Sequence, residues 1–228
     1  MYIAQKQLEK LRNLAVPGKV VVIYGARRTG KTTLLKEFLK DETKDHLLVN
    51  GEDITVHSYL SSQSVEKLTS FVGNAKLLIV DEAQKIPNIG INLKLIVDHL
   101  SGIRMVVTGS SSFDLARHTG EPLTGRKYTL KLFPLAQMEI GQIEKIHQTQ
   151  AHLENRLIYG SYPEVVLMQD NQGREKYLKE IVSSYLYKDI LELDGIRQSV
   201  KIIRLLQLLA FQIGKEVSLT ELGTSLAM

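Results

Sequence analysis

Two runs of this 228-residue chain carry side chains whose types and spacing suit phosphate chemistry. The first, Gly25-Ala26-Arg27-Arg28-Thr29-Gly30-Lys31-Thr32, fits the pattern G-x-x-x-x-G-K-[ST] in full. Its glycines let the backbone curl so that successive N–H groups form an anion nest. The helix that follows adds roughly half a positive charge at its N-terminus. Lys31 can then reach the β- and γ-phosphates of a nucleotide, and the Thr32 hydroxyl can ligate Mg²⁺. Arg27 and Arg28 add positive charge to a loop already built for anions. They read as solvated loop arginines or as contacts to a neighbouring subunit, a helper domain or nucleic acid.

The second run, Leu77-Leu78-Ile79-Val80-Asp81-Glu82, is an apolar strand ending in two carboxylates. In a parallel sheet the C-terminal ends of all strands share one edge, so Asp81 should emerge beside the phosphate loop. There it would hold Mg²⁺, and Glu82 would orient or deprotonate the attacking water as general base. Alone, the two acids could equally cap the following turn; the loop is what favours chemistry. A third run, Met105-Val106-Val107-Thr108-Gly109-Ser110, brings hydroxyls to the same edge. Thr108 and Ser110 are candidates to hold the attacking water or touch the γ-phosphate, although a small-residue turn before a helix reads nearly as well.

These residues need a scaffold, and the hydrophobic pattern describes one. Residues 5 to 14 have helical spacing. Lys19–Tyr24 is a β-branched run suited to a strand buried on both faces, and Lys31–Lys40 is again helical. Strands are expected at His46–Val49, Lys76–Val80 and Ile103–Thr108, with helices at Val65–Val72 and Leu93–Leu100 and an edge strand at Arg126–Leu132. This alternation implies a three-layer α/β domain with a mostly parallel sheet over residues 1–135. Beyond it only helical patterns recur, at about 136–147, 151–158, 174–193 and 199–213, giving an all-helical segment over 136–214. Ser218-Leu219-Thr220-Glu221 has the capping-box pattern and opens another helix, so residues 215–228 read as the start of a truncated element.

Composition fits this picture. With 43% hydrophobic and 24% charged residues the chain can bury a core. It contains no cysteine, which excludes disulfides and thiolate metal sites. No apolar run is long enough for a membrane-spanning helix, and the N-terminal residues lack a signal core, so a cytoplasmic protein with no membrane partner is expected. A net charge of +4 permits nucleic acid as a partner without demanding it. The six histidines are scattered and suggest no metal site other than Mg²⁺.

The ordered motifs resemble those of prokaryotic AAA-type phosphate-loop ATPases that carry a C-terminal domain of unknown function, a group with affinities to the STAND signalling ATPases. The motifs are Gly25 to Thr33, Asp81-Glu82-Ala83-Gln84, Thr108-Gly109-Ser110-Ser111, Leu123-Thr124-Gly125-Arg126, Leu132-Phe133-Pro134-Leu135 with Glu139, and Gly160-Ser161-Tyr162-Pro163-Glu164. The resemblance implies an AAA-like core, a helical lid and a winged-helix-like segment beginning near residue 215. It implies ATP or ADP as the nucleotide, a preference that the lack of an Asn-Lys-x-Asp motif also favours. It adds Thr33 to the nucleotide-binding residues and Pro163 as a contact for adenine, where a simple loop proline is the competing reading. It adds Arg126 as an arginine aimed at a γ-phosphate in cis or across a subunit interface, against an ordinary edge-strand charge. A homo-oligomer, and a protein or DNA partner reached through a missing C-terminal region, are compatible with the same resemblance.

The function expected is Mg²⁺-dependent ATP binding and hydrolysis that moves the lid and a C-terminal effector region. The alternative is a nucleotide-operated switch with little intrinsic turnover.

Overall fold

Residue parity along three strands decides the architecture. The computed structural model describes residues 2–42, 45–109, 123–186 and 199–226. Its strands are β1 (Val20–Tyr24), β2 (His46–Asn50), β3 (Leu77–Asp81), β4 (Arg104–Gly109) and β5 (Lys127–Lys131). They form one sheet in the order β2-β3-β4-β1-β5, with every pair parallel. Successive side chains on a strand point to opposite faces. Accordingly Val20, Val22, Leu78, Val80, Met105 and Val107 enter one core and Val21, Ile23, Leu77, Ile79 and Val106 the other.

Helices cover both faces. The first core packs on α3 (Ile54–Leu60), α4 (Val65–Val72) and α5 (Ile89–His99) through Val56, Leu60, Leu68, Val72, Leu93 and Ile96. The second packs on α1 (Gln7–Leu14) and α2 (Lys31–Leu39) through Leu11, Leu34, Leu35 and Phe38. Each such side chain, taken fully out of water, contributes about 1.5–3 kcal/mol. The edge strands β2 and β5 are only partly buried.

The strands lie within a residue or two of their expected limits. The pattern reading passes over α3, which is held by a local device: the Asp53 side chain accepts a hydrogen bond from the Thr55 N–H. The single helix expected over 136–147 is broken into α6 (Gln137–Ile140) and α7 (Ile146–Ala151), the first ending at Gly141. Next come α8 (Leu153–Tyr159), α9 (Pro163–Leu167), which starts in what reads as a turn, and α10 (Asn171–Ile181). Pro163 sits in the first turn of α9, where its missing N–H costs nothing.

The chain forms two compact units, Met1–Arg174 and Glu175–Met228. The sheet, α1 to α9 and the start of α10 belong to the first. The second contains helices Ser199–Phe211 and Leu219–Ser225, the latter capped by the Ser218 side chain as its sequence predicts. Among the described residues no helix is long and apolar enough to cross a membrane.

Candidate active site

Because the sheet is parallel, Tyr24, Asn50, Asp81, Gly109 and Lys131 all end on one edge. The loop from Gly25 to Gly30 leaves β1 at this edge and opens α2. Gly30, at the helix N-cap, has φ +97°, a conformation that penalises any side chain. Gly25 is needed for a different reason: a Cβ there would lie 2.4 Å from the Leu132 carbonyl oxygen, just past β5. Inside the loop the buried Thr29 hydroxyl donates to the Ala26 carbonyl at 2.8 Å. The ammonium of Lys31, itself buried, donates to the carbonyls of Gly25 at 2.8 Å and Ala26 at 3.0 Å, so it lies across the mouth of the loop. Arg28 is exposed with φ +65°, Arg27 is half-buried, and Thr33 is exposed in the first turn of α2.

The acidic pair stands directly opposite. The Thr32 hydroxyl donates to Asp81 Oδ2 at 2.8 Å, and the Thr108 hydroxyl donates to Asp81 Oδ1. Thr108 is wholly buried, and its oxygen also accepts from the Glu82 N–H at 3.0 Å. One hydroxyl therefore fixes both acids. Strand order makes this contact available, since β4 lies between β1 and β3 and brings Thr108 between the loop and the acids. With its proton on Asp81, Thr108 acts here as an anchor for the carboxylate, where the sequence suggested a contact to water or phosphate. Ser110 lies outside the described residues.

Glu82 has φ +52°, a left-handed backbone that a non-glycine residue adopts at a cost. Gly51 permits it. A Cβ on Gly51 would lie 2.3 Å from the Glu82 carbonyl oxygen, and the Gly51 N–H donates to the Asp81 carbonyl at 2.7 Å. The Glu82 carboxylate accepts from Gln84 Nε2.

The donor set of Thr32 and Asp81 is a hydroxyl beside a carboxylate. These are hard oxygens of the kind Mg²⁺ takes in ones and twos while keeping several waters, so the residues present fit that ion. Among the described residues no cluster of three or more His, Cys, Asp or Glu suggests another metal site.

The structure does not bring Arg126 to this edge, which speaks against the cis form of its expected role. Its carbonyl accepts from the Val20 N–H at 2.8 Å, which puts it at the N-terminal end of β1, about 13 Å of strand from Tyr24. Its guanidinium pairs with Asp98 at 2.7 Å. Pro163 is placed differently. Leu132 N–H donates to the Tyr24 carbonyl at 2.6 Å, and Leu135 N–H donates to the Ser161 carbonyl at 2.9 Å. The turn before α9 is thus tied to the segment that leaves β5 at the loop's edge. Burial pushes the Tyr162 phenol above its usual pKa, which keeps it protonated.

Two supports hold the site from outside it: Gln5 escapes the sequence reading, and Glu139 is named there only within a motif, with no role. Gln5, buried ahead of α1, donates from Nε2 to the Thr29 carbonyl at 3.1 Å and so braces the phosphate loop. Glu139, also buried, accepts from the N–H groups of Lys6 at 2.7 Å and Ala136 at 2.8 Å. Both join parts of the chain far apart in sequence, and no local pattern marks Gln5.

The chain is similar to known proteins over most of its length. An uncharacterized protein of Methanocaldococcus jannaschii is 28% identical over 226 residues, covering 92% of this chain and 51% of its own length. An uncharacterized protein of Mycobacterium tuberculosis is 25% identical over 219 residues, covering 95% of this chain and 46% of its own. The chain thus spans about half the length of these curated relatives. Among solved structures, a Signal Transduction ATPase with Numerous Domains (STAND) protein from Pyrococcus horikoshii shares the fold, with TM-score 0.50 at 16% identity over 83% of this chain and 34% of that one. Residues 150–228 match a domain of unknown function (DUF8612). Residues 17–141, which run from the turn before β1 through the sheet and past α6, match the AAA domain model, and the chain belongs to that family.

Proposed function

We propose that this protein binds ATP with Mg²⁺ and hydrolyses it at the edge shared by β1, β3 and β4. The observation that carries the reading is the Asp81 carboxylate, hydrogen-bonded on one oxygen to Thr32 of the phosphate loop and on the other to Thr108, with Glu82 next in the chain. The loop N–H groups and the N-terminus of α2 bind the phosphates, and Lys31 moves from the loop carbonyls onto the β- and γ-oxygens. Thr32 and Asp81 hold Mg²⁺, which when bound neutralises charge on those oxygens. Glu82 takes a proton from the attacking water. The turn Gly160–Pro163 provides the adenine contact. The helical lid over 136–214, the winged-helix-like start over 215–228 and their movement with nucleotide state belong to the same proposal, as do a homo-oligomer and a protein or DNA partner.

Phosphate release from Mg-ATP by the purified chain tests it, with nucleotide affinity measured in parallel. Lys31→Ala should abolish binding, Pro163→Ala should weaken ATP about tenfold, and Glu82→Gln should keep binding while losing turnover by roughly 10²–10⁴-fold. Equal turnover in wild type and Glu82→Gln would remove Glu82 as the base, and no turnover in a wild type that still binds ATP would defeat the hydrolysis reading and leave a binding switch.

A further inference from the structure

Among the described residues, one neighbour places the Glu82 side chain. Its backbone N–H is fixed by Thr108 and its backbone conformation is left-handed, but the carboxylate hangs on several rotatable bonds beyond both. Among the described residues only Gln84 Nε2 donates to it, at 2.5 Å. Gln84 stands two residues on, in the single tight turn Ala83–Lys85, which directs its carboxamide back over the acid. An ionised carboxylate only accepts hydrogen bonds, so it selects the NH₂ side of the amide and turns Oε1 away. That Oε1 is buried and has no partner among the described residues. Folded proteins tolerate few buried, unpaired acceptors.

We propose that the Gln84 carboxamide is the second half of the seat for the attacking water. Nε2 holds Glu82 in place, and Oε1, covered in this structure, accepts a hydrogen bond from the water that Glu82 activates once nucleotide binding uncovers it. This rests on the hydrolysis reading above. In the step, the water oxygen bonds to the γ-phosphorus while the bond from that phosphorus to the β–γ bridging oxygen breaks. One water proton passes to Glu82, the other stays on the water oxygen and points to Gln84 Oε1, and ADP leaves with the bridging oxygen. Glu82 sets where the proton goes, and Gln84 sets where the water oxygen stands. Misplacement of a reacting group by an ångström is enough to slow a reaction a hundredfold.

Gln84→Leu keeps the size of the side chain and removes the amide. In single-turnover hydrolysis by the full chain, this variant should be about tenfold to a hundredfold slower, with ATP and ADP affinities within about twofold of wild type. It should also trap ADP with fluoroaluminate, a mimic of the transferring phosphoryl group, about tenfold less tightly. In a Glu82→Gln background the same change should add less than about threefold, since it acts on the group already disabled. Turnover unchanged or raised in Gln84→Leu would overturn the proposal, the rise identifying a brake on Glu82; so would full additivity with Glu82→Gln. A wild type that binds ATP but neither turns it over nor traps the fluoroaluminate complex removes the hydrolysis reading and this proposal with it. A wild type that does both, matched by Gln84→Leu, removes the role of Gln84 alone. Gln84→Met, of different shape and also without an amide, separates amide loss from misfit: it should be as slow as Gln84→Leu.

Discussion

At the residue scale, the site depends on a few hydrogen bonds that lock backbone and side chain together. Thr108 is the clearest case, because one buried hydroxyl donates to Asp81 and accepts from the Glu82 N–H. Thr108→Val preserves shape but leaves a buried N–H without its acceptor and a carboxylate without a donor. We expect a loss of about 2 kcal/mol in urea unfolding, with at least a tenfold drop in phosphate release. A variant as stable and as active as wild type would show that Thr108 anchors nothing. The phosphate loop and the acids are legible as residue types, since their spacing is short and local. Gln5 and the anchoring role of Thr108 are not legible, since each depends on partners distant in sequence.

At the element scale, short helices beyond the sheet are held by polar ties in place of long apolar stripes. Glu144, between α6 and α7, receives hydrogen bonds from Arg156 of α8 and from His152, and Arg156 also donates to Gln137 of α6 at 2.7 Å. Burial raises the pKa of the Glu144 carboxyl, but the hydrogen bonds and charges of Arg156 and His152 outweigh it and hold the net value below the usual range. A carboxyl whose folded pKa is depressed stabilises the fold above its unfolded pKa, near 4.3, and loses that contribution as pH falls through the folded value. Glu144→Gln should therefore cost about 2 kcal/mol at pH 7, with the difference from wild type shrinking below about pH 4. Urea unfolding at the two pH values checks this; a gap independent of pH would mean that the charge of Glu144 is not what holds the helices. The break between α6 and α7 follows from the same weakness. A four-residue helix ending at Gly141 survives because Glu139 caps it and Ile140 is buried with Ile3 and Leu135.

At the scale of the whole molecule, the parallel sheet sorts residues by which end of a strand they occupy. Arg126 falls at the end opposite the loop that we propose holds the phosphates, so within one chain it stands away from that site. Arg126→Ala should leave turnover per chain unchanged in dilute protein, where chains act singly, and its exposed pair with Asp98 should contribute no more than about 1 kcal/mol. A loss of turnover that appears only as protein concentration rises would assign Arg126 to a neighbouring subunit's site. A loss already present in dilute protein would contradict the placement. The curated relatives extend to about twice this length.

The sequence by itself determined the candidate residues and most of the scaffold. The loop pattern, the two acids after an apolar strand and the β-branched runs all depend on neighbours within a few residues, and the strands lie close to the limits that their patterns predict. Only the tertiary structure decided strand order, and strand order decided function-bearing contacts. With β4 inserted between β1 and β3, Thr108 reaches the acids; with β5 beside β1, Leu132 closes over Gly25 and the turn before Pro163 is drawn toward the loop, while Arg126 is sent to the far edge. Side-chain periodicity records which face of a strand is buried, but nothing in it records which strand lies alongside. That choice is made by the packing of the helices over both faces of the sheet.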